Sequence, residues 1–214
     1  SSGKNLVGTF YQPKLVFIDP KILKTLPKRE ILSGYAEIIK HGIINDNKFF
    51  TWLHKNSKKI LTLNNKTLSE AIYKSIIIKR KYVLKDEKEN LKNNNSRAIL
   101  NFGHTFGHAL ETFYKYNKKF THGEAISIGM IISATLSYKL GYLPLNQINN
   151  IKNHFKLINL PMFDNKMFDE KIFKIIEKDK KIDNKKINFV LIKKIGSAFL
   201  SKNLNLDKIK KTLK

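Results

Sequence analysis

The sequence contains no cysteine. That excludes disulfide frameworks and thiolate metal sites, and it fits a reducing compartment. No apolar run approaches the roughly 18–20 residues a membrane span needs. Ile76, Ile77 and Ile78 are followed at once by Lys79, Arg80 and Lys81. The first residues, Ser-Ser-Gly-Lys-Asn, lack the charged-then-apolar pattern of a secretory signal. With neither a signal nor a membrane run, the expected location is the cytoplasm. A glycine-rich dinucleotide-binding fingerprint is also missing. Acidic residues are few: 17 Asp and Glu stand against 41 Lys and Arg, for a formal charge of +24.

Such an excess of positive charge suggests a nucleic-acid binder. A binder of that kind gathers its charge into a stripe interleaved with exposed aromatics. Here the lysines are spread over every segment, beside abundant Asn and Ile. That pattern fits the codon bias of an AT-rich genome better, and no nucleic-acid or membrane partner is expected. Apolar residues make up 42% of the 214, enough for a sizeable core.

Apolar spacing predicts a mostly α-helical chain with two or three short strands. Leu15–Ile18 reads as a buried strand stopped at Asp19-Pro20. Pro27 opens a helix carrying Glu37 and Lys40. Segments 49–63 and 68–85 show three- and four-residue apolar steps and read as helices. The polar stretch 90–96 reads as a surface loop. A helix over 104–113, a core helix over 125–140 closed by Gly141, and helices over 147–157 and 169–178 follow. Ile187–Ile192 reads as a strand.

Three of the six histidines fall between positions 104 and 122. His104 and His108, four apart, share one helix face. With His122 they make a plausible divalent-metal site. A metalloprotease would need Glu directly after the first His; Thr105 stands there. Candidate carboxylates are Glu37, Glu111 and Glu124. Glu37 lies between apolar residues, where a carboxylate is costly unless paired or metal-bound. Lys79, Arg97 and Asn101 suit an anionic, polyhydroxylated substrate.

The segments Gly-Lys-Asn-Leu-Val-Gly-Thr-Phe-Tyr-Gln-Pro, Ser-Gly-Tyr-Ala-Glu-Ile-Ile-Lys-His-Gly, Arg-Ala-Ile-Leu-Asn-Phe-Gly-His-Thr-Phe-Gly-His-Ala-Leu-Glu and His-Gly-Glu-Ala occur in this order. Together they resemble 3-dehydroquinate synthase, with coverage from about Lys4 to Gly196. The resemblance implies the helical C-terminal domain of the dehydroquinate synthase-like, iron-alcohol dehydrogenase-like fold, over residues 21–214. Residues 1–20 would be the end of an interdomain link and a strand.

The same resemblance implies site roles. Glu37, His104 and His122 would bind Zn2+ (or Co2+). His108 would assist proton transfer. Lys40, Lys79, Arg97 and Asn101 would hold substrate carboxylate, hydroxyls and phosphate, with Asn5, Lys180 and Lys181; Lys186 is a rival for the late lysine. Lys4 and Ile22, Leu23, Lys24 and Thr25 would touch NAD. The implied reaction converts the sugar phosphate 3-deoxy-D-arabino-heptulosonate 7-phosphate to 3-dehydroquinate by oxidation, phosphate elimination, reduction and aldol closure. The implied assembly is a homodimer. A nucleotide-binding domain would precede residue 1, so the chain is expected not to turn over alone. His41 stands where the family usually has Tyr; His41, His54 and His154 read as structural or surface. Related sugar-phosphate cyclases, a glycerol-type dehydrogenase and a basic nucleic-acid module are the rival readings.

Overall fold

The computed structural model describes residues 13–91, 93–117, 119–179 and 186–213. The order of elements is α1 Lys28–Asn45, α2 Asn47–Leu61, α3 Asn65–Lys85, α4 His104–Phe113, α5 His122–Lys139, α6 Leu145–Leu157, α7 Glu170–Asp179, β1 Lys186–Lys194, β2 Ser197–Asn205 and α8 Leu206–Leu213. Two 3-10 turns, Pro20–Thr25 and Arg97–Asn101, precede α1 and α4.

Short polar residues set the helix boundaries. Asp46 ends α1 and caps α2, its Oδ1 accepting from Phe49 N at 3.0 Å. Asn64 caps α3 through Thr67 N. Thr121 and Glu124 form a reciprocal capping box at the start of α5. Gly141, at φ +80°, lets the chain turn out of α5.

The helix α5 is the axis of the molecule. Ile126, Met130 and Ala134 recur every four residues and enter one buried cluster, built mainly from α1, α2, α3 and α6. Ile128, Ile132 and Leu136, on the opposite side, enter a second cluster with α4, α7, β1 and α8. A helix apolar on all sides must be surrounded. The antiparallel β1–β2 hairpin closes one flank of α5. Ile192 N donates to Ser137 Oγ on α5, and Gly196 N in the hairpin turn donates to Ile43 O on α1.

Two differences from the sequence reading stand out. Leu15–Ile18 forms no strand: Leu15 and Phe17 are 83% and 88% exposed. An apolar run pairs only where a sheet offers an edge, and the one sheet among the described residues is the β1–β2 hairpin. Strand β2 and helix α8 were not expected. Among the described residues no helix is long and apolar enough to cross a membrane.

Candidate metal centre and substrate cavity

Three helices deliver the site. On α1, Ser33, Glu37, Lys40 and His41 fall on one face by three- and four-residue steps. On α4, His104, His108 and Glu111 do the same. The first turn of α5 brings His122. None of these spacings joins one helix to another; packing does. Gly103 enters α4 at φ +80°, and a Cβ there would lie 2.6 Å from Met130 Cγ, so α4 starts pressed onto α5. Gly123 lies against α1, where a Cβ would meet Ser33 O at 2.1 Å. Its N–H donates to Ser33 Oγ at 2.9 Å. Arg29 reaches Glu124 through Nε and Nη2 at 2.9 and 2.6 Å. These contacts bring His122 to face Glu37 across the α1–α5 contact.

Glu37 is bound on one side only. Its Oε2 accepts from Lys40 Nζ at 2.7 Å. Its Oε1 is buried and has no hydrogen-bond partner among the described residues. His104 Nε2 lies 3.7 Å from that oxygen and His122 Nε2 lies 3.8 Å away. Burial opposes ionisation of Glu37, but the opposing interactions, led by the Lys40 ammonium, outweigh it and hold its carboxyl below the ordinary range. Burial, reinforced by Lys40, pushes His104 down to about 3, so its ring is neutral near pH 7. Burial likewise lowers Lys40, only partly offset by Glu37.

The proton positions sharpen this. Phe102 O lies 3.2 Å from His104 Nδ1 and can only accept, so Nδ1 carries the proton. His104 Nε2 therefore faces Glu37 Oε1 lone pair to lone pair. Two acceptors with no proton between them are costly in a buried place. A cation between them removes the cost, and carboxylate with imidazole is a donor set suited to zinc or cobalt. The residues fit a divalent metal. His108 is close as well: ligand atoms of His104, His108 and His122 lie within 4.8 Å of one another.

Beside this centre is a cavity of about 480 Å3. Glu37, His104, Lys40, Lys79, Arg97 and Asn101 all line it. Asp86 orders one wall, accepting from Asn90 N, Leu91 N and Arg97 N at 2.8–3.1 Å. Asn101 Nδ2 donates to Glu89 Oε1.

Some site expectations fall elsewhere. Lys4, Asn5, Lys180 and Lys181 lie outside the described residues, as does the side chain of Lys186. Ile22–Thr25 lies in the first 3-10 turn and not in the cavity wall; Leu23 packs on the core while Ile22, Lys24 and Thr25 are exposed. Glu124 is taken by Arg29 and the capping box. Three polar wall residues were not anticipated from sequence: His41, Ser75 and Glu89. His41 is buried, as its structural reading holds, and its Nδ1 lies 2.6 Å from Ser75 Oγ. Ser75 stands one turn before Lys79 on α3, a spacing that could have flagged it.

A family model described as 3-dehydroquinate synthase C-terminal matches residues 34–182, and one described as 3-dehydroquinate synthase N-terminal matches residues 1–33. The chain belongs to the 3-dehydroquinate synthase family. A 3-dehydroquinate synthase of Pelagibacter ubique is 45% identical over 213 residues, covering 95% of this chain and 57% of the relative. One from Buchnera aphidicola subsp. Cinara cedri is 44% identical over 212 residues, covering 97% and 56%. The chain thus spans a little over half the length of these synthases. Among solved structures, 2-epi-5-epi-valiolone synthase from Streptomyces hygroscopicus subsp. jinggangensis, with NAD+ and Zn2+ bound, shares the fold at TM-score 0.84 and 21% identity, covering 98% of this chain and 57% of that one. A 2-deoxy-scyllo-inosose synthase complexed with carbaglucose-6-phosphate, NAD+ and Co2+ matches at TM-score 0.72 and 28% identity, covering 100% and 59%.

Proposed function

We propose that this chain is the metal- and substrate-binding part of a 3-dehydroquinate synthase, acting on 3-deoxy-D-arabino-heptulosonate 7-phosphate. The observation that carries the reading is Glu37 Oε1, buried without a hydrogen bond and facing His104 and His122, beside a cavity lined by Lys40, Lys79 and Arg97. Glu37, His104 and His122 would hold Zn2+ or Co2+; the metal would supply Lewis-acid polarisation of substrate hydroxyls, and NAD, held partly by Lys4 and Ile22–Thr25, a reversible oxidation.

The chain's own groups do the rest. Lys40 ties Glu37 in place and leaves one carboxylate oxygen for the metal. Lys79 and Arg97 offset the charge of the substrate carboxylate and the departing phosphate, Arg97 as a planar fork and Lys79 as a point charge. Lys180 and Lys181 would add to this from the segment after α7. Asn5 and Asn101 orient hydroxyls, and His108 moves a proton beside the metal. The complete protein would work as a homodimer. The valiolone and inosose synthases share the fold, but relatives at 41–45% identity carry the dehydroquinate name, which favours that substrate.

Calorimetric titration of the metal-free chain with Zn2+ tests the centre. One-to-one binding, lost in Glu37→Ala, His104→Ala and His122→Ala, is expected. A chimera with the N-terminal part of the Pelagibacter relative is then expected to release phosphate from the substrate with NAD. Zinc binding indifferent to all three substitutions would sink the reading.

A further inference from the structure

His122 is the most exposed of the proposed metal ligands: its side chain keeps 42% exposure, against 33% for Glu37 and 13% for His104. Packing that confines His104 is weaker around His122, yet both of its ring nitrogens face a carboxylate. Nε2 faces Glu37 Oε1 at 3.8 Å, and Nδ1 lies 3.2 Å from Glu111 Oε1. Glu111 sits seven residues after His104 on the same face of α4, and its side chain is only 9% exposed.

An ionised carboxylate can only accept, so the proton between Glu111 and His122 belongs to Nδ1. In the neutral ring Nε2 then keeps its lone pair, 3.8 Å from the free oxygen of Glu37. The Phe102 carbonyl does the same for His104. Two unrelated acceptors thus impose one tautomer on both rings, the one that a metal between them needs. Glu111 meets the ring at the nitrogen turned away from Glu37, so it is placed to orient the ligand and not to join the metal. We propose that Glu111 is a positioning residue: it sets the tautomer and ring orientation of His122 for a divalent metal, in the manner by which outer carboxylates raise the basicity of ligating imidazoles. This rests on the metal reading of the same centre.

The test uses this chain, metal-free, with Co2+ and Zn2+ as probes. Glu111→Ala is expected to weaken metal affinity about 10–100-fold, the usual range for losing such an outer partner. Glu111→Gln, which keeps an accepting oxygen, should lose less and rescue part of the effect. In the metal-free chain, 15N NMR of the His122 ring should show the Nδ1–H tautomer in wild type and a shift toward Nε2–H in Glu111→Ala. Wild-type affinity in Glu111→Ala, or an Nε2–H tautomer in the wild-type chain, overturns the proposal while leaving the metal centre standing. No metal binding by wild type overturns both. Circular dichroism checks the fold of each variant; if Glu111→Ala does not fold, the wild-type tautomer and the Glu111→Gln affinity still decide.

Discussion

The molecule holds two groups of neighbouring histidines, and they are built to opposite ends. In one, His54 Nδ1 lies 3.1 Å from His154 Nδ1, and His154 Nε2 lies 3.2 Å from Tyr35 Oη. Tyr35 donates to Leu53 O, so its oxygen accepts from His154 Nε2–H, and His154 Nδ1 accepts from His54 Nδ1–H. Every polar side-chain atom of the two buried members, Tyr35 and His154, is used. In the other, His104 and His122 converge on a carboxylate oxygen that has no partner. Proximity of histidines is common to both. What separates them is an acceptor left unsatisfied in a buried place, which a core does not tolerate without a ligand.

The largest expected effect breaks the comparison directly. His104→Ala should lower Zn2+ affinity by more than about 100-fold, beyond the range seen for outer partners, while His54→Ala leaves it unchanged. Titration of both variants decides; loss in His54→Ala would mean the two groups are coupled.

Metal should also stabilise the fold. At a free Zn2+ concentration 100 times Kd, binding adds about 2.7 kcal/mol. A rise in Tm, reversed by chelation and missing in Glu37→Ala, is the expected readout of a thermal scan.

The buried group sharpens the comparison through pH. Burial pushes His154 and His41 down to about 3. Unfolded, each titrates near 6.5. Below that pH the unfolded chain takes up protons the native chain refuses, so stability falls as pH drops from about 6.5 toward 3. Each such histidine contributes a slope of up to about 1.4 kcal/mol per pH unit. His154→Leu should flatten the slope by up to one proton, measured by urea unfolding at several pH values; an unchanged slope would refute the neutral buried ring.

The smallest effect concerns Ser75. Ser75→Ala removes the partner of His41 Nδ1 and should cost about 0.5–1.5 kcal/mol of stability, with zinc affinity unaltered. A loss of zinc binding there would extend the metal centre along the cavity wall.

Much of the helical frame was legible. The helix expected over 104–113 coincides with α4, and the apolar character of 125–140 marked α5 as a core helix. Strand β2 and helix α8 were not legible. Ser197–Asn205 carries Ser, Lys and Asn among its apolar residues. Helix α8 offers only Leu206, Ile209 and Leu213 in a lysine-rich octet, and these are held by burial in the second cluster. Short elements take their stability from packing, which local pattern does not contain. Leu15–Ile18 shows the converse: a strand-like pattern without a sheet to receive it.

By itself the sequence determined which side chains share a helix face: Glu37 with Lys40 and His41, His104 with His108 and Glu111. That follows from the 3.6-residue repeat and needs no neighbour. Only the tertiary structure decided that these faces meet. The close approach at Gly123 and the Arg29–Glu124 pair bring α5 onto α1, and the seat of α4 at Gly103 completes the centre. It also decided which of three candidate carboxylates was left unsatisfied. Glu124 is consumed by Arg29 and Glu111 is turned to His122 Nδ1, so Glu37 alone among them presents a buried, unpartnered oxygen. Hydrogen-bond saturation is a property of packed neighbours, and no spacing along the chain encodes it.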